Sequence, residues 1–215
     1  MSRHRRLTRW AARLLALAAF LAVTAPPARA PATIAEQRAR LPPPATCVDP
    51  VEGLWKSHLY DPIYRDWTVF MLHIQRVPGS ETEITGTITN HSWDGPPTQQ
   101  EPGPCTPGLT QWVVSMDARG HVQADGQIEF GGAGQWRLDR VVCNGGPGGY
   151  NLDNFSGVID PALQEFQSVN NDGGRAVNDP TVFRRISCFD APPAPHVVTE
   201  PPPFYPHMPG GGCGR

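Results

Sequence analysis

The chain has 215 residues with 25 Pro, 22 Gly and five Cys, a composition that excludes a coiled coil, which needs long heptad repeats, and a collagen, which needs Gly at every third position. Its formal charge of -2 hides an uneven distribution, because residues 1–30 hold six of the 18 basic residues and none of the 20 acidic ones. The remainder is acidic and has a single lysine, Lys56, so it lacks the clustered Lys and Arg that bind nucleic acid, which is excluded as a partner.

The first thirty residues have the layout of a secretory signal peptide. A basic stretch from Arg3 to Arg13 leads into an apolar run at 14–23, followed by Pro26-Pro27 and the small-residue site Ala28-Arg29-Ala30. The apolar run is too short to cross a bilayer about 30 Å thick, and no later segment has the length or the hydropathy to do so. We therefore expect cleavage near residue 31 and a secreted or periplasmic protein without a membrane span.

Two proline-rich segments flank the predicted domain. Residues 31–46 are rich in Pro and Ala, and residues 189–215 carry eight Pro and four Gly. Such segments have too few apolar residues to offset the entropy lost on ordering. We therefore expect a linker at 31–46, one folded domain at 47–188 and a disordered tail at 189–215.

Between residues 47 and 188 the apolar residues recur with a period of two, which is typical of strands. The alternation is clearest in His121–Phe130, and Thr82–His91 repeats it. Trp67–Arg76 is apolar on both faces, which indicates a strand that is central or lines an interior. Shorter runs bring the count to about nine, at Gly53–Ser57, Thr110–Met116, Gln135–Val142, Phe155–Asp160, Leu163–Val169 and Thr181–Ser187.

Turn signals separate these runs, at Pro78-Gly79, Ala118–Gly120, Gly131–Gly134, Asp160-Pro161 and Asn171–Gly174. No window shows a sustained helical period. Eight to nine short strands at this spacing predict an all-β antiparallel fold, either an up-and-down barrel or a β-sandwich.

A short motif favours the barrel. Gly53-Leu54-Trp55, at the start of the first predicted strand, resembles the G-x-W with which lipocalins and other calycin-type barrels, such as the avidins, begin. In that family the Trp closes the floor of the barrel beneath a basic residue of the last strand, a position that Arg184 or Arg185 matches. The resemblance thus implies a closed barrel with Trp55 and one of these two arginines at its floor.

Export permits disulfides, and the mature chain has five cysteines. Cys213 lies in the tail, where we expect a free thiol or an intermolecular link; the other four allow three pairings. In a closed up-and-down barrel, as the resemblance implies, the first and last strands are neighbours, which would pair Cys47 with Cys188 and Cys105 with Cys143. That arrangement needs an even number of strands, so one of the nine runs must be miscounted or lie outside the barrel.

The sequence frames of common catalytic and metal sites are missing. The chain contains no H-E-x-x-H, no G-x-S-x-G and no S-x-x-K, and its histidines lack the spacing of a metal site on a strand. We therefore expect no metal and no cofactor, and the balance favours a binding protein over an enzyme.

Four residues are predicted to bind a ligand. Trp93 and Tyr150 follow a strand and a glycine-rich loop, where a ring beside polar groups suits a sugar or a small amphipathic molecule. His73 shares a strand face with Met71 and needs a polar partner there.

Three functions follow from these observations. The leading hypothesis is a secreted β-barrel that binds a small molecule or a carbohydrate without transforming it. The alternatives are a cell-envelope interaction module or protease-inhibitor-like protein, and a cofactor-free hydrolase or isomerase. The barrel interior discriminates between the three functions. A cavity of roughly several hundred Å³ favours a binding protein, and a filled interior favours an interaction module. Polar residues that converge inside the barrel favour an enzyme.

Overall fold

The computed structural model describes residues 33–174 and 177–189, so the predicted signal peptide and Cys213 lie outside the described residues. The described residues form one short helix and nine strands. These are α1 (Ile34–Arg40), β1 (Gly53–Lys56), β2 (Leu59–Asp61), β3 (Asp66–Arg76), β4 (Glu83–Asp94), β5 (Gln111–Val122), β6 (Gln127–Cys143), β7 (Asn154–Asp160), β8 (Glu165–Asn170) and β9 (Pro180–Ser187).

Eight of the nine strands close an antiparallel up-and-down barrel. Each strand from β3 to β8 pairs with the next one along the chain, and β1 closes the ring by pairing with both β9 and β3. The short β2 pairs only with β3 and lies outside the ring. The barrel prediction is confirmed, and the sandwich alternative is wrong.

The strand predicted at His121–Phe130 is wrong as a single element. β5 ends at Val122 and β6 begins at Gln127, and between them Gln123 N–H donates to the Gln127 carbonyl while Gly126 adopts a φ of 83°. Val122 and Phe130 both pack towards the core, so a period of two continues through a tight hairpin and conceals it.

Two predicted turns, at Ala118–Gly120 and Gly131–Gly134, are also wrong, because both lie within strands. At Gly120 an added Cβ would approach the Glu129 carbonyl oxygen to 1.9 Å, so this glycine permits close strand contact instead of a turn. The run His121–Phe130 therefore contributes its first two residues to β5 and its last four to β6. This miscount explains how nine predicted runs give eight barrel strands.

Residues 31–46 do not form an extended linker throughout, because Ile34–Arg40 is helical. Thr33 caps the helix and Glu36 completes a capping box. Gln37 is buried and holds the helix against β9: its Nε2 donates to the Pro180 carbonyl (2.7 Å), and Val182 N–H donates to its Oε1 (2.9 Å). The prolines at 42–44 dominate the composition of this segment and conceal the capping signal before them.

The hydrophobic core fills one end of the barrel. Alternate residues of β3 and β4 point inward there and are fully buried, among them Leu72, Ile74 and Ile88. Phe155 lies edge-on to Phe183 at 4.8 Å between ring centroids, an arrangement that aromatic pairs favour. We call this filled part the sealed end.

Trp55 and Arg185 form the floor of the sealed end. The Arg185 guanidinium lies 5.0 Å from the centroid of the Trp55 ring, and both side chains are fully buried. Arg185 also donates to the Gln164 side chain and to the Glu52 carbonyl (3.0 Å). Arg184 instead faces outward and pairs with Glu165 at 2.8 Å. Of the two arginines in the sequence prediction, Arg185 is therefore the one over Trp55.

Two disulfides join the pairs that the closed barrel implies. Cys47 is bonded to Cys188, with 5.5 Å between their Cα atoms, and Cys105 is bonded to Cys143. The first bond links the segment before β1 to the residue after β9. In the described ranges, no helix combines the length and the apolar character of a membrane span.

Candidate ligand-binding site

A cavity of about 620 Å³ opens at the barrel end opposite Trp55. Its volume lies within the usual range for small-molecule sites. The β2–β3 hairpin, the inner face of β4, the loop at 144–153 and the segment around β8 and the start of β9 form its walls. We call this part of the barrel the open end.

The inward face of β4 changes character between the two ends. Ile84 and Ile88 belong to the core at the sealed end, whereas Asn90 and Ser92 continue the same alternation into the cavity. All four side chains are buried. The same strand therefore supplies an apolar floor and then polar groups for the cavity.

Polar side chains from four parts of the chain meet in one network. Asn90 Nδ2 donates to Tyr150 Oη (2.6 Å), and Tyr150 Oη donates to Asp153 Oδ2 (2.8 Å). Asn170 Nδ2 donates to both Asp153 Oδ1 and Asp172 Oδ2, each at 3.2 Å. All five residues line the cavity.

Asp153 is the most unusual group of this network. Its side chain is 1% exposed, and this burial, together with the charge of Asp172, raises its pKa to about 7, although hydrogen bonds from Tyr150 and Asn170 act in the opposite direction. Burial, and next the charge of Asp153, also raise the pKa of Tyr150 well above its ordinary value. The cavity thus contains a carboxyl group that titrates near neutrality beside a tyrosine that stays protonated.

Apolar groups form the base and the rim of the cavity. Phe70 lies at the base, and the Trp112 ring stands edge-on to Tyr150 at 5.8 Å on the wall. At the rim, Ile63 is 74% exposed and Tyr64 is 54% exposed, both at the tip of the β2–β3 hairpin. Large apolar side chains exposed beside a cavity are typical of a ligand entrance.

Of the four residues predicted to bind ligand, Tyr150 is the one that lines this cavity. Trp93 lies on the outer face of β4 and is 3% exposed, stacked on Trp67 at 6.1 Å between ring centroids. The loop after β4 covers the Trp93 ring, and the ring Nε1 donates to the Gln99 carbonyl of this loop at 3.3 Å. Trp93 therefore packs in an outer cluster and offers no platform for a sugar.

Met71 and His73 also lie away from the cavity. Both alternate with the buried Phe70 and Leu72 of β3, so they face the outside of the barrel. His73 packs on the Phe189 ring at 4.3 Å between centroids. His73 is thus a packing residue on the outer face of β3.

Asn90, Asp153 and Asn170 line the cavity but are not among the four residues predicted to bind a ligand. A usable signal existed for Asn90, which follows Ile84 and Ile88 at even spacing on one strand face. Asp153 has no such signal, because it lies 63 residues from Asn90 and only the folded barrel brings the two together. Within residues 33–174 and 177–189, no group of three or more His, Cys, Asp or Glu could hold a metal ion.

Comparison of the chain with protein-family models, with curated proteins and with solved structures gives no match.

Proposed function

We propose that this protein binds a small amphipathic molecule in the open end of its barrel. The observation that carries the proposal is the cavity of about 620 Å³, in which an apolar base lies beside the network of Asn90, Tyr150, Asp153 and Asn170. Small-molecule sites combine mostly apolar walls with a few convergent polar groups. A cavity of this size supports a binder over an interaction module with a filled interior, and the buried Trp93 supports a small molecule over a carbohydrate.

We further propose a calycin-type relationship and export from the cytoplasm. The first is supported by Gly53-Leu54-Trp55 at the start of β1 and by Arg185 over Trp55. The second is supported by the layout of residues 1–30 and by two disulfides, which persist in oxidising compartments.

A thermal-shift screen with lipids, pigments and aromatic metabolites tests binding. Thr68 points into the cavity from β3, so the indole ring of Thr68→Trp should obstruct the cavity and abolish the shift that a ligand causes. Thr89→Trp is the matched control, because Thr89 lies on the outer face of β4. The proposal fails if no compound raises the melting temperature, or if Thr68→Trp and the control respond alike.

A cofactor-free isomerase is the second candidate, and the convergence of Asp153 and Tyr150 on one cavity supports it. A carboxyl group with a pKa of about 7 can accept and return a proton at neutral pH. The test is mass spectrometry and NMR of each bound compound after incubation with the protein. A product that forms with the wild type but not with Asp153→Asn supports an enzyme, and an unchanged compound supports a binder.

A further inference from the structure

We infer that the ligand of this cavity is an organic amine, with a protonated nitrogen carried on an apolar, ring-sized body. This inference rests on the proposed function, because it names the class of molecule that the same cavity takes. Three observations support it: the balance of donors and acceptors, the charge of the lining, and the position of the apolar groups.

The hydrogen-bond network keeps more unused lone pairs than unused N–H or O–H donors, although each of its acceptor oxygens already accepts one bond. Tyr150 has one O–H, which goes to Asp153, and Asn170 has two side-chain N–H groups, which go to Asp153 and Asp172. One N–H of Asn90 goes to Tyr150. Each carboxylate oxygen has two lone pairs, and Asp153 accepts one bond at each oxygen. A ligand that donates hydrogen bonds therefore complements this wall better than one that accepts them.

The charge of the lining favours a cation among such donors. Five carboxylates line the cavity, and the described part of the lining contains no Lys, Arg or His. They are Asp61, Asp66, Asp153, Asp172 and Asp179. A hydrogen bond from an ammonium group to a carboxylate is about twice as strong as a neutral one, and its charge compensates a carboxylate that is buried.

The apolar groups favour an organic cation over a bare metal ion. Phe70 at the base and Ile63 at the rim offer apolar contact on either side of the carboxylates. The rings of Trp112 and Tyr150 border the same space, and aromatic faces attract ammonium groups. A metal ion would need several ligands close together, and the described residues contain no such group.

Three probes that share one ring system test the inference. These are 2-(1-naphthyl)ethylamine, 2-(1-naphthyl)ethanol and the carboxylate 1-naphthaleneacetate. Each is titrated calorimetrically at pH 8 into the full-length protein as isolated. We expect the amine to bind at least about tenfold more tightly than the alcohol, and the carboxylate to bind most weakly.

Variants locate the effect. Asp153→Asn and Asp172→Asn should each weaken amine binding by about tenfold and change alcohol binding much less. Glu83→Gln is the matched control, because Glu83 is an exposed carboxylate at the start of β4 and outside the cavity lining. If Asp153→Asn does not fold, Asp172→Asn and the comparison of probes in the wild type decide the question.

Several outcomes overturn the inference. Equal affinity for the three probes would show that the cavity does not distinguish ligands by charge. Tighter binding of 1-naphthaleneacetate would show that the cavity prefers an anion to a cation. In both cases the proposed binding function stands. If none of the probes binds below about 1 mM, the amine class is rejected. The wider screen with Thr68→Trp then decides the binding function separately.

Discussion

The Tyr150 hydroxyl donates a hydrogen bond to Oδ2 of Asp153 at 2.8 Å, and the hydroxyl oxygen accepts a hydrogen bond from Asn90. The two bonds connect the loop at 144–153 to the inner face of β4. Because Gly132 N–H also donates to the Asp153 carbonyl (2.8 Å), the end of this loop is attached to β6 as well. The Tyr150 hydroxyl is thus the group that links the parts of the cavity wall by hydrogen bonds.

Removing that hydroxyl should destabilise the protein. Tyr150→Phe leaves the buried side chains of Asn90 and Asp153 without a shared partner, which we expect to lower the free energy of unfolding by about 1–3 kcal/mol. Urea unfolding of Tyr150→Phe, Asn90→Ala and the double variant measures the effect. Additive losses from the two changes would show that the residues are not coupled and would contradict the network.

The raised pKa of Asp153 makes stability depend on pH. Since its folded pKa of about 7 lies above the ordinary value of 3.8, the folded protein holds this proton more tightly than the unfolded chain does. Its contribution to stability is therefore complete below about pH 4 and is lost as the pH rises to about 7.

Unfolding of the wild type and of Asp153→Asn in urea, at half-unit intervals from pH 4 to pH 8.5, checks this dependence. We expect the unfolding free energy of the wild type to fall relative to that of Asp153→Asn as the pH rises to about 7. Above about pH 7 the difference between the two proteins should stay constant. A difference that stays constant over this range would show that Asp153 titrates normally.

His58 should have the opposite pH dependence. It is 2% exposed, and burial first, with the charges of Lys56 and Arg40, lowers its pKa below 6.5. The folded state therefore resists protonation, and stability is lost as the pH falls below about 6.5. His58→Gln should unfold with a weaker dependence on pH between 6.5 and 5 than the wild type. Equal slopes for His58→Gln and the wild type would refute this.

The two disulfides should contribute unequally to stability. Cys47–Cys188 closes a loop of 141 residues and Cys105–Cys143 one of 38, so the chain-entropy argument gives about 5 and about 4 kcal/mol respectively. Chemical denaturation of the Cys47→Ser/Cys188→Ser and Cys105→Ser/Cys143→Ser variants measures both losses. A larger loss for the second pair would mean that loop closure is not the main source of the stabilisation.

The closure of the barrel could be predicted because its signals are local or depend on strand order alone. Gly53-Leu54-Trp55 and the pair Arg184-Arg185 lie in short motifs, and the cysteine pairing follows once the first and last strands are neighbours. The hairpin at 123–126 could not be predicted, because the alternation of inward-facing and outward-facing residues continues across it without a break.

The cavity required information that no local pattern carries. Trp93 and Tyr150 look alike in the sequence, as rings beside polar residues, but the loop after β4 covers the first while the second turns into the barrel. The hydrogen bond between Asn90 and Tyr150 spans 60 positions, and it depends on the pairing of β4, β5 and β6, which includes register shifts between β5 and β6.

The bond between Cys47 and Cys188 also fixes where the chain leaves the barrel. Phe189 follows it and packs on His73, near the floor formed by Trp55, whereas Gln37 of α1 lies at the cavity itself. A fluorophore attached at position 189 therefore lies on the far side of the barrel from the entrance, and one attached just before α1 lies next to the entrance. Attachment at position 189 is thus the choice that leaves the ligand route open.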